Sequence, residues 1–246
     1  MTGFGLDKKV AVITGAAGEV GSATARLFAR QDARLLLADL ADEKVKALAL
    51  EIGSRAAPFQ ADFSRVTDCR ACIEAAVERF GQLDILVNNV GICPRISFLD
   101  STEEDWERIV AVNQKSMFFC SQFAAPFLRQ TKGRIISLAS YAGRAGAAAN
   151  ASIYSGTKGA VIALTKAIAR ELAPDVLVNA VAPGALDTGM VHALPQERLD
   201  ALIETIPLKR LGKAEEVASA ILFLAAADCS YLTGATLDMN GGWMMI

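Results

Sequence analysis

The sequence predicts an α/β chain built on a doubly wound parallel sheet, and three observations point there. Six short apolar runs alternate with segments of helical spacing. The runs are nearly continuous in aliphatic residues, as strands buried on both faces are. A glycine-rich stretch, "TGAAGEVG", follows the first run, where a strand of such a sheet turns into its helix. With 246 residues, 52% of them hydrophobic, the chain can fill one sizeable core. No linker, low-complexity tract or repeat divides it, so residues 1–246 are expected to form one domain.

The elements follow in order. "KVAVIT" (9–14) is the first strand, and "SATARLFARQ" (22–31) has the spacing of the helix after it. "ARLLLADL" (33–40) and "AAPFQADF" (56–63) are the second and third strands. "TDCRACIEAAVERF" (67–80) reads as an amphipathic helix, and "LDILVNNVG" (83–91) as the fourth strand. Before Trp106, Ser101 and Glu104 have capping-box spacing, which predicts the start of a long helix. "GRIISLAS" (133–140) and "DVLVNAVAPG" (175–184) complete the strands, with the helix "KGAVIALTKAIARELA" (158–173) between them. Right-handed crossovers then make a Rossmann-type sheet with ligands at the carboxyl ends of its strands.

Composition excludes several function classes. A formal net charge of −2, from 25 basic and 27 acidic residues, provides no basic field for nucleic acid or an anionic membrane. The N-terminus lacks the basic head and long apolar stretch of a signal peptide, and no run is long enough to span a bilayer. Five scattered cysteines suit reduced thiols and a cytoplasmic setting better than a disulfide framework. Cys69 and Cys72 form one CxxC, but no second pair exists and the only histidine is His192, so helix thiols are expected and no metal site.

Two sets of residues carry chemistry. The turn provides Gly15, Gly18, Val20 and Gly21, and Asp39 stands 18 residues beyond Gly21 at the end of the second strand. A carboxylate there can accept hydrogen bonds from both hydroxyls of an adenosine ribose and would repel a 2′-phosphate, favouring NAD over NADP. In "YSGTK", Tyr154 and Lys158 lie four residues apart on one helix face, so the ammonium can favour the ionised phenol. A tyrosine of reference pKa about 10 is otherwise a poor base at neutral pH. On spacing alone an ordinary surface pair explains these two residues better.

The ordered set of motifs changes that balance. "TGAAGEVG", "NNVG" (88–91), Ser140 at its distance before Tyr154, "YSGTK", "NAVAPGALDT" (179–188) and "YLTGATLDMNGG" (231–242) together resemble the short-chain dehydrogenase/reductase family through essentially the whole chain. The resemblance implies Tyr154 as general acid/base, Ser140 holding the substrate oxygen, and Lys158 binding the nicotinamide ribose while lowering the tyrosine pKa. It implies Asn113 in a water-linked proton relay, Asp62 near the adenine, Asn88 and Gly91 beside the cofactor, and Pro183, Gly184, Leu186 and Thr188 near the carboxamide. Ser137 lies too far from Tyr154 for the family pattern and is assigned to the strand. The activity implied is interconversion of a secondary alcohol and a ketone with NAD, in a homotetramer.

One residue departs from the pattern. Position 19, usually glycine in the family so that a pyrophosphate can approach bare backbone, is Glu19. A carboxylate at a helix N-terminus uses the same amide groups as a phosphate. Glu19 therefore faces solvent harmlessly, competes with the phosphates, or marks a chain that has lost the cofactor; Gly18 beside it can relax the turn. If it competes, Glu19→Gly improves NAD affinity.

The substrate pocket is expected from Cys93, Arg95 and Phe98, from Tyr141 and Arg144, and from a mobile helical lid over about 188–213 that contains His192. Arg95 and Arg144 can recognise a carboxylate or hold structure. Alternatives are a 3-oxoacyl-carrier-protein reductase, a sugar-alcohol dehydrogenase, or a non-catalytic ligand-binding protein on the same scaffold, for which Glu19 is the direct support. The tail "GGWMMI" (241–246) is expected to be buried against another subunit or its own chain.

Overall fold

The structure is a computed structural model that describes residues 5–146, 150–192 and 195–245. Seven parallel strands form one sheet in the order β3-β2-β1-β4-β5-β6-β7. They are β1 (Val10–Thr14), β2 (Arg34–Asp39), β3 (Ala56–Gln60), β4 (Ile85–Asn88), β5 (Arg134–Leu138), β6 (Leu177–Pro183) and β7 (Thr236–Met239). The first six match the apolar runs. The seventh, from "TLDM", was not among them.

Helices cover both faces, as the continuous apolar strands require. On one face α1 (Glu19–Arg30), α2 (Asp42–Ile52) and α10 (Ala214–Ala225) pack on Ile13, Leu35, Leu37 and Val87. On the other, α3 (Val66–Phe80), α5 (Ser116–Thr131) and α7 (Ser152–Leu172) pack around Val12, Leu36, Leu86 and Ile135. Cys69 and Cys72 are buried in α3, as helix thiols. No described helix is long and apolar enough to cross a membrane.

The chain builds outward from β1 to β3, then returns to place β4 on the other side of β1. That reversal opens a crevice at the carboxyl ends of β1 and β4, where Gly15 meets Val90. Asp84, at the opposite end of β4 and 3% exposed, fixes these two strands by accepting from Lys9 Nζ, the Val10 amide and Gln82 Nε2.

Two local details differ from the sequence expectation. Thr102, not Ser101, caps α4 (Glu103–Val110): its hydroxyl accepts from the Asp105 amide while Asp105 accepts from the Thr102 amide. The Ser101 hydroxyl instead donates to the Ser97 carbonyl, closing the preceding 3-10 turn. The long helix then runs from α4 into α5 through one π-helical turn, Ala111–Lys115. The lid region holds α8 (Gly189–His192) and α9 (Gln196–Thr205). Its base is closed by a parallel bridge between Leu186 and Gly212, with Asp187 N–H donating to the Gly212 carbonyl.

Candidate active site

The glycine-rich turn is shaped by two positions. Gly15 has φ of 64°, and a Cβ there would sit 2.8 Å from Val90 Cα. A Cβ on Gly21 would run into the Gly15 carbonyl and the Asn89 amide. Gly18, by contrast, has ordinary extended dihedrals and would only brush the Gly15 carbonyl at 3.4 Å. Position 19 is thus the first residue of a normal helix, and the backbone tolerates a side chain there. Val20 leans on the core.

One carboxylate, one side-chain amide and one hydroxyl brace this turn. Asp39 accepts from the Ala17 amide at 2.9 Å and from the Ala41 amide at 3.0 Å, so the acid at the end of β2 already touches the turn. Asn89 donates to the carbonyls of Thr14 and Gly15, and the Thr14 hydroxyl accepts from the Asn89 and Val90 amides. Neither Asn89 nor Thr14 was singled out in the sequence, although both lie inside quoted motifs. Asn88, the neighbour that was, is 4% exposed and donates to Ser121 and Ser137, which places its amide between β4, β5 and α5. Its Oδ1 has no hydrogen-bond partner among the described residues. Ser137 is a strand residue, as expected. Asp62 accepts from the Ser64 amide, and its hydrogen bonds to Ser64 hold the carboxyl below the usual range.

No side chain caps the amino end of α1. Glu19 is exposed and leaves its own helix: its Oε1 accepts from the Gly189 amide at 3.1 Å, at the start of α8. The helix N-terminus beside bare Gly18 therefore remains available to an anion.

The catalytic candidates converge behind this crevice. Asn113 comes from the π turn, an insertion that redirects a side chain within a helix. It is 2% exposed; its Oδ1 accepts from the Ile92 amide and its Nδ2 donates to the Ile92 carbonyl, both at 2.8 Å, and to Thr157 at 3.2 Å. Thr157 in turn donates to the Tyr154 carbonyl. Lys158, 5% exposed, donates to the Leu138 carbonyl and lies 5.8 Å from the Tyr154 ring centroid. A Cβ on Gly91 would stand 3.4 Å from Lys158 Nζ and 3.5 Å from Asn113 Oδ1, so that glycine keeps the space between them open. Ser140 is hydrogen-bonded to the Tyr154 side chain and accepts from the Ala142 amide.

Electrostatics differ from the expectation in one respect. Burial pushes the Tyr154 phenol above its ordinary value; the bond to Ser140 pulls it down, and the nearby Cys93 thiol raises it further. Burial also lowers the Lys158 ammonium to about 8, with Cys93 opposing. The expected depression of the tyrosine by Lys158 is overridden here, because desolvation disfavours both charged forms and the ammonium is engaged by Leu138.

The outer residues are less unified. Cys93 is partly buried, and burial raises its thiol pKa. Arg95 is exposed. Arg144 does not face a free pocket: its guanidinium makes a two-pronged pair with Asp238 at 3.2 Å, tying α6 (Ala142–Ala145) to β7. Of its two expected roles, holding structure is the one occupied. Tyr141 stacks on Trp243 at 4.1 Å, so the tail packs on its own chain there, while Met245 stays 80% exposed and Ile246 lies outside the described residues. Gly184 is close to Asn240, where a Cβ would sit 2.9 Å away. Pro183 accepts from the Tyr141 amide, and Thr188 donates to the Leu186 carbonyl. His192 ends α8, and its side chain lies outside the described residues. A cavity of about 300 Å³ beside Glu19, Arg26 and Asp187, and one of about 210 Å³ under the lid base, are not lined by Ser140, Tyr154 or Lys158.

Comparison with known proteins decides the family. The profile described as enoyl-(acyl carrier protein) reductase matches residues 15–244. A meso-2,3-butanediol dehydrogenase of Serratia marcescens is 39% identical over 96% of this chain and 94% of its own. The protein is a short-chain dehydrogenase/reductase. A 3-oxoacyl-[acyl-carrier-protein] reductase of Thermotoga maritima is 36% identical, covering 96% of this chain and 98% of its own. The crystal structure of a short-chain dehydrogenase/reductase, glucose/ribitol dehydrogenase, from Brucella melitensis superimposes with a TM-score of 0.94 at 40% identity, over 98% of each chain. Membership brings a nicotinamide cofactor, and the residues present fit one. The uncapped end of α1, the open backbone at Gly18 and the close-packed Gly15 and Gly21 make the phosphate cradle that such a cofactor needs.

Proposed function

We infer that this short-chain dehydrogenase/reductase interconverts a secondary alcohol and a ketone with NAD(H), with Tyr154 as the acid/base. The observation that carries the reading is the convergence of Lys158 Nζ, 5.8 Å from the Tyr154 ring, with Asn113 across the space that Gly91 keeps open, and Ser140 acting on the phenol. Ser140 orients the substrate oxygen against the phenol. In ketone reduction Tyr154 gives its proton to that oxygen; in alcohol oxidation it takes the carbinol proton. Lys158 holds positive charge beside the phenolate left behind, and Asn113 keeps the Ile92 backbone in place at the edge of the site. The nicotinamide supplies the hydride acceptor or donor.

The preference for NAD rests on Asp39, a carboxylate at the end of β2 flanked by Leu40 and Ala41, with Ala17 across from it. No cation among these would balance a 2′-phosphate. The second reading, an NADPH-linked 3-oxoacyl-carrier-protein reductase, draws on the Thermotoga maritima relative. We place the enzyme in the cytoplasm as a homotetramer, in keeping with five unbridged cysteines and exposed Phe98, Leu99 and Trp106. Assays with NAD or NADP against secondary alcohols, polyols and a 3-oxoacyl thioester test the reading. NAD-linked alcohol turnover supports it, and reduction of the thioester with NADPH alone supports the second.

A further inference from the structure

We propose that Glu19 is a positioning residue that clasps the lid to the dinucleotide turn, so that one side chain influences cofactor binding and substrate binding in opposite directions. The inference rests on the alcohol–ketone reading for its substrate measurements only.

The geometry is specific to this chain. Glu19 opens α1, yet its carboxylate spends itself on the Gly189 amide, 170 residues away in sequence, and not on its own helix. Of the described hydrogen bonds made by residues 189–205, this one alone reaches the first half of the chain. The rest are internal to the lid, such as Val191 to Thr188 and Gln196 to Asp200. The lid base is fixed separately, by the Leu186–Gly212 bridge and the bond from Gly212 N–H to the Ala185 carbonyl. Between that base and α1 lies the cavity of about 300 Å³, lined by Glu19, Ser22, Arg26, Asp187 and Lys213. Glu19 bridges the edge of this void, and side-chain packing does not fill it. A hydrogen bond to a carboxylate is stronger than one between neutral groups, so it can fix the start of a segment that is otherwise held by the packing of buried Val191, Leu199 and Ile206.

The consequence follows from what adjoins each end. Gly189 follows Thr188, so the clasp fixes the first residues of the lid over the crevice. Glu19 itself stands at the helix N-terminus that a pyrophosphate would approach, where a second negative charge is unfavourable. Removing the carboxylate should therefore tighten NAD binding and loosen the lid together. A residue needed merely for folding would weaken both.

Hydrogen exchange of the cofactor-free protein, alongside NAD titration and steady-state kinetics, tests this on Glu19→Gly and Glu19→Gln. For Glu19→Gly, the amides of Gly189–His192, next to the lost bond, are expected to exchange about three- to tenfold faster, with a smaller change over Gln196–Thr205. NAD Kd should fall, and KM for the alcohol should rise with a smaller change in kcat. Glu19→Gln keeps an acceptor oxygen without the charge. It should recover most of the lid protection and the substrate KM while retaining the tighter NAD binding. Parent-like exchange over Gly189–His192 in Glu19→Gly overturns the clasp. Failure of every alcohol to turn over would instead count against the proposed activity, and the exchange result on the cofactor-free protein would still stand.

Discussion

Asn113, Ser140, Tyr154 and Lys158 are held from several sides by backbone groups and by one another, whereas Arg95 is exposed and the lid is pinned mainly at its base. The first set sits on α7, on the end of β5 and on a π turn inside a long helix, all anchored by core packing. The second sits on connections. The difference teaches where chemistry and specificity are stored in this molecule. The groups proposed to handle the proton are placed by regular elements that a core of this size stabilises. The surfaces expected to choose the substrate lie on connections and on the short helices of the lid.

Substitutions on the rigid side should have the largest effects. Tyr154→Phe removes the proton donor while leaving the ring in place, and kcat/KM is expected to fall by about three orders of magnitude in steady-state assays with little change in Tm. Gly21→Ala forces a Cβ into the Gly15 carbonyl; it should cost about 1–3 kcal/mol in denaturant unfolding and abolish measurable NAD binding by calorimetry. Asn113→Ala strands the Ile92 amide and carbonyl and should destabilise by about 1–3 kcal/mol, with a fall in kcat larger than any change in NAD Kd.

The outer side should respond in a different quantity. Arg144→Ala breaks the pair with Asp238 and should lower stability by about 2 kcal/mol in thermal or denaturant melts. Arg95→Ala should leave the melt unchanged and alter substrate KM alone. A stability loss at Arg95, or none at Arg144, would erase the distinction between the two arginines.

The pH profile sharpens the comparison further. Burial keeps Tyr154 protonated beyond its ordinary value, so ketone reduction should hold through neutral pH. Lys158, lowered to about 8, sheds its charge as pH rises past that point, and reduction should decline there. Alcohol oxidation needs the phenolate, so the ratio of oxidation to reduction should climb with pH. An oxidation optimum on the acid side would contradict the assignment of Tyr154.

Much of this was legible in the sequence, and the misses have physical causes. The interior strands β1, β2, β4, β5 and β6 announced themselves because both faces are buried, and the edge strand β3 was still legible as a short run despite its partial exposure. β7 did not, because four residues at the sheet edge, all only partly buried, carry little periodic signal. The cap moved from Ser101 to Thr102 because "ST" and "ED" offer the same spacing in two adjacent registers. Tyr154, Lys158 and Ser140 were singled out through the family resemblance and not by spacing alone, and the direction of the tyrosine shift could not be read from either. It depends on burial, which no motif encodes. The destination of Glu19 was equally hidden, since its partner is an amide in a distant segment.

The measurement closest to the central claim is cofactor reduction by the parent enzyme and by Tyr154→Phe, with NAD and NADP in parallel, over a panel of secondary alcohols. Turnover of at least one alcohol with NAD by the parent, lost in the variant, is the predicted result. Equal turnover by both proteins, or turnover with NADP alone, would contradict it.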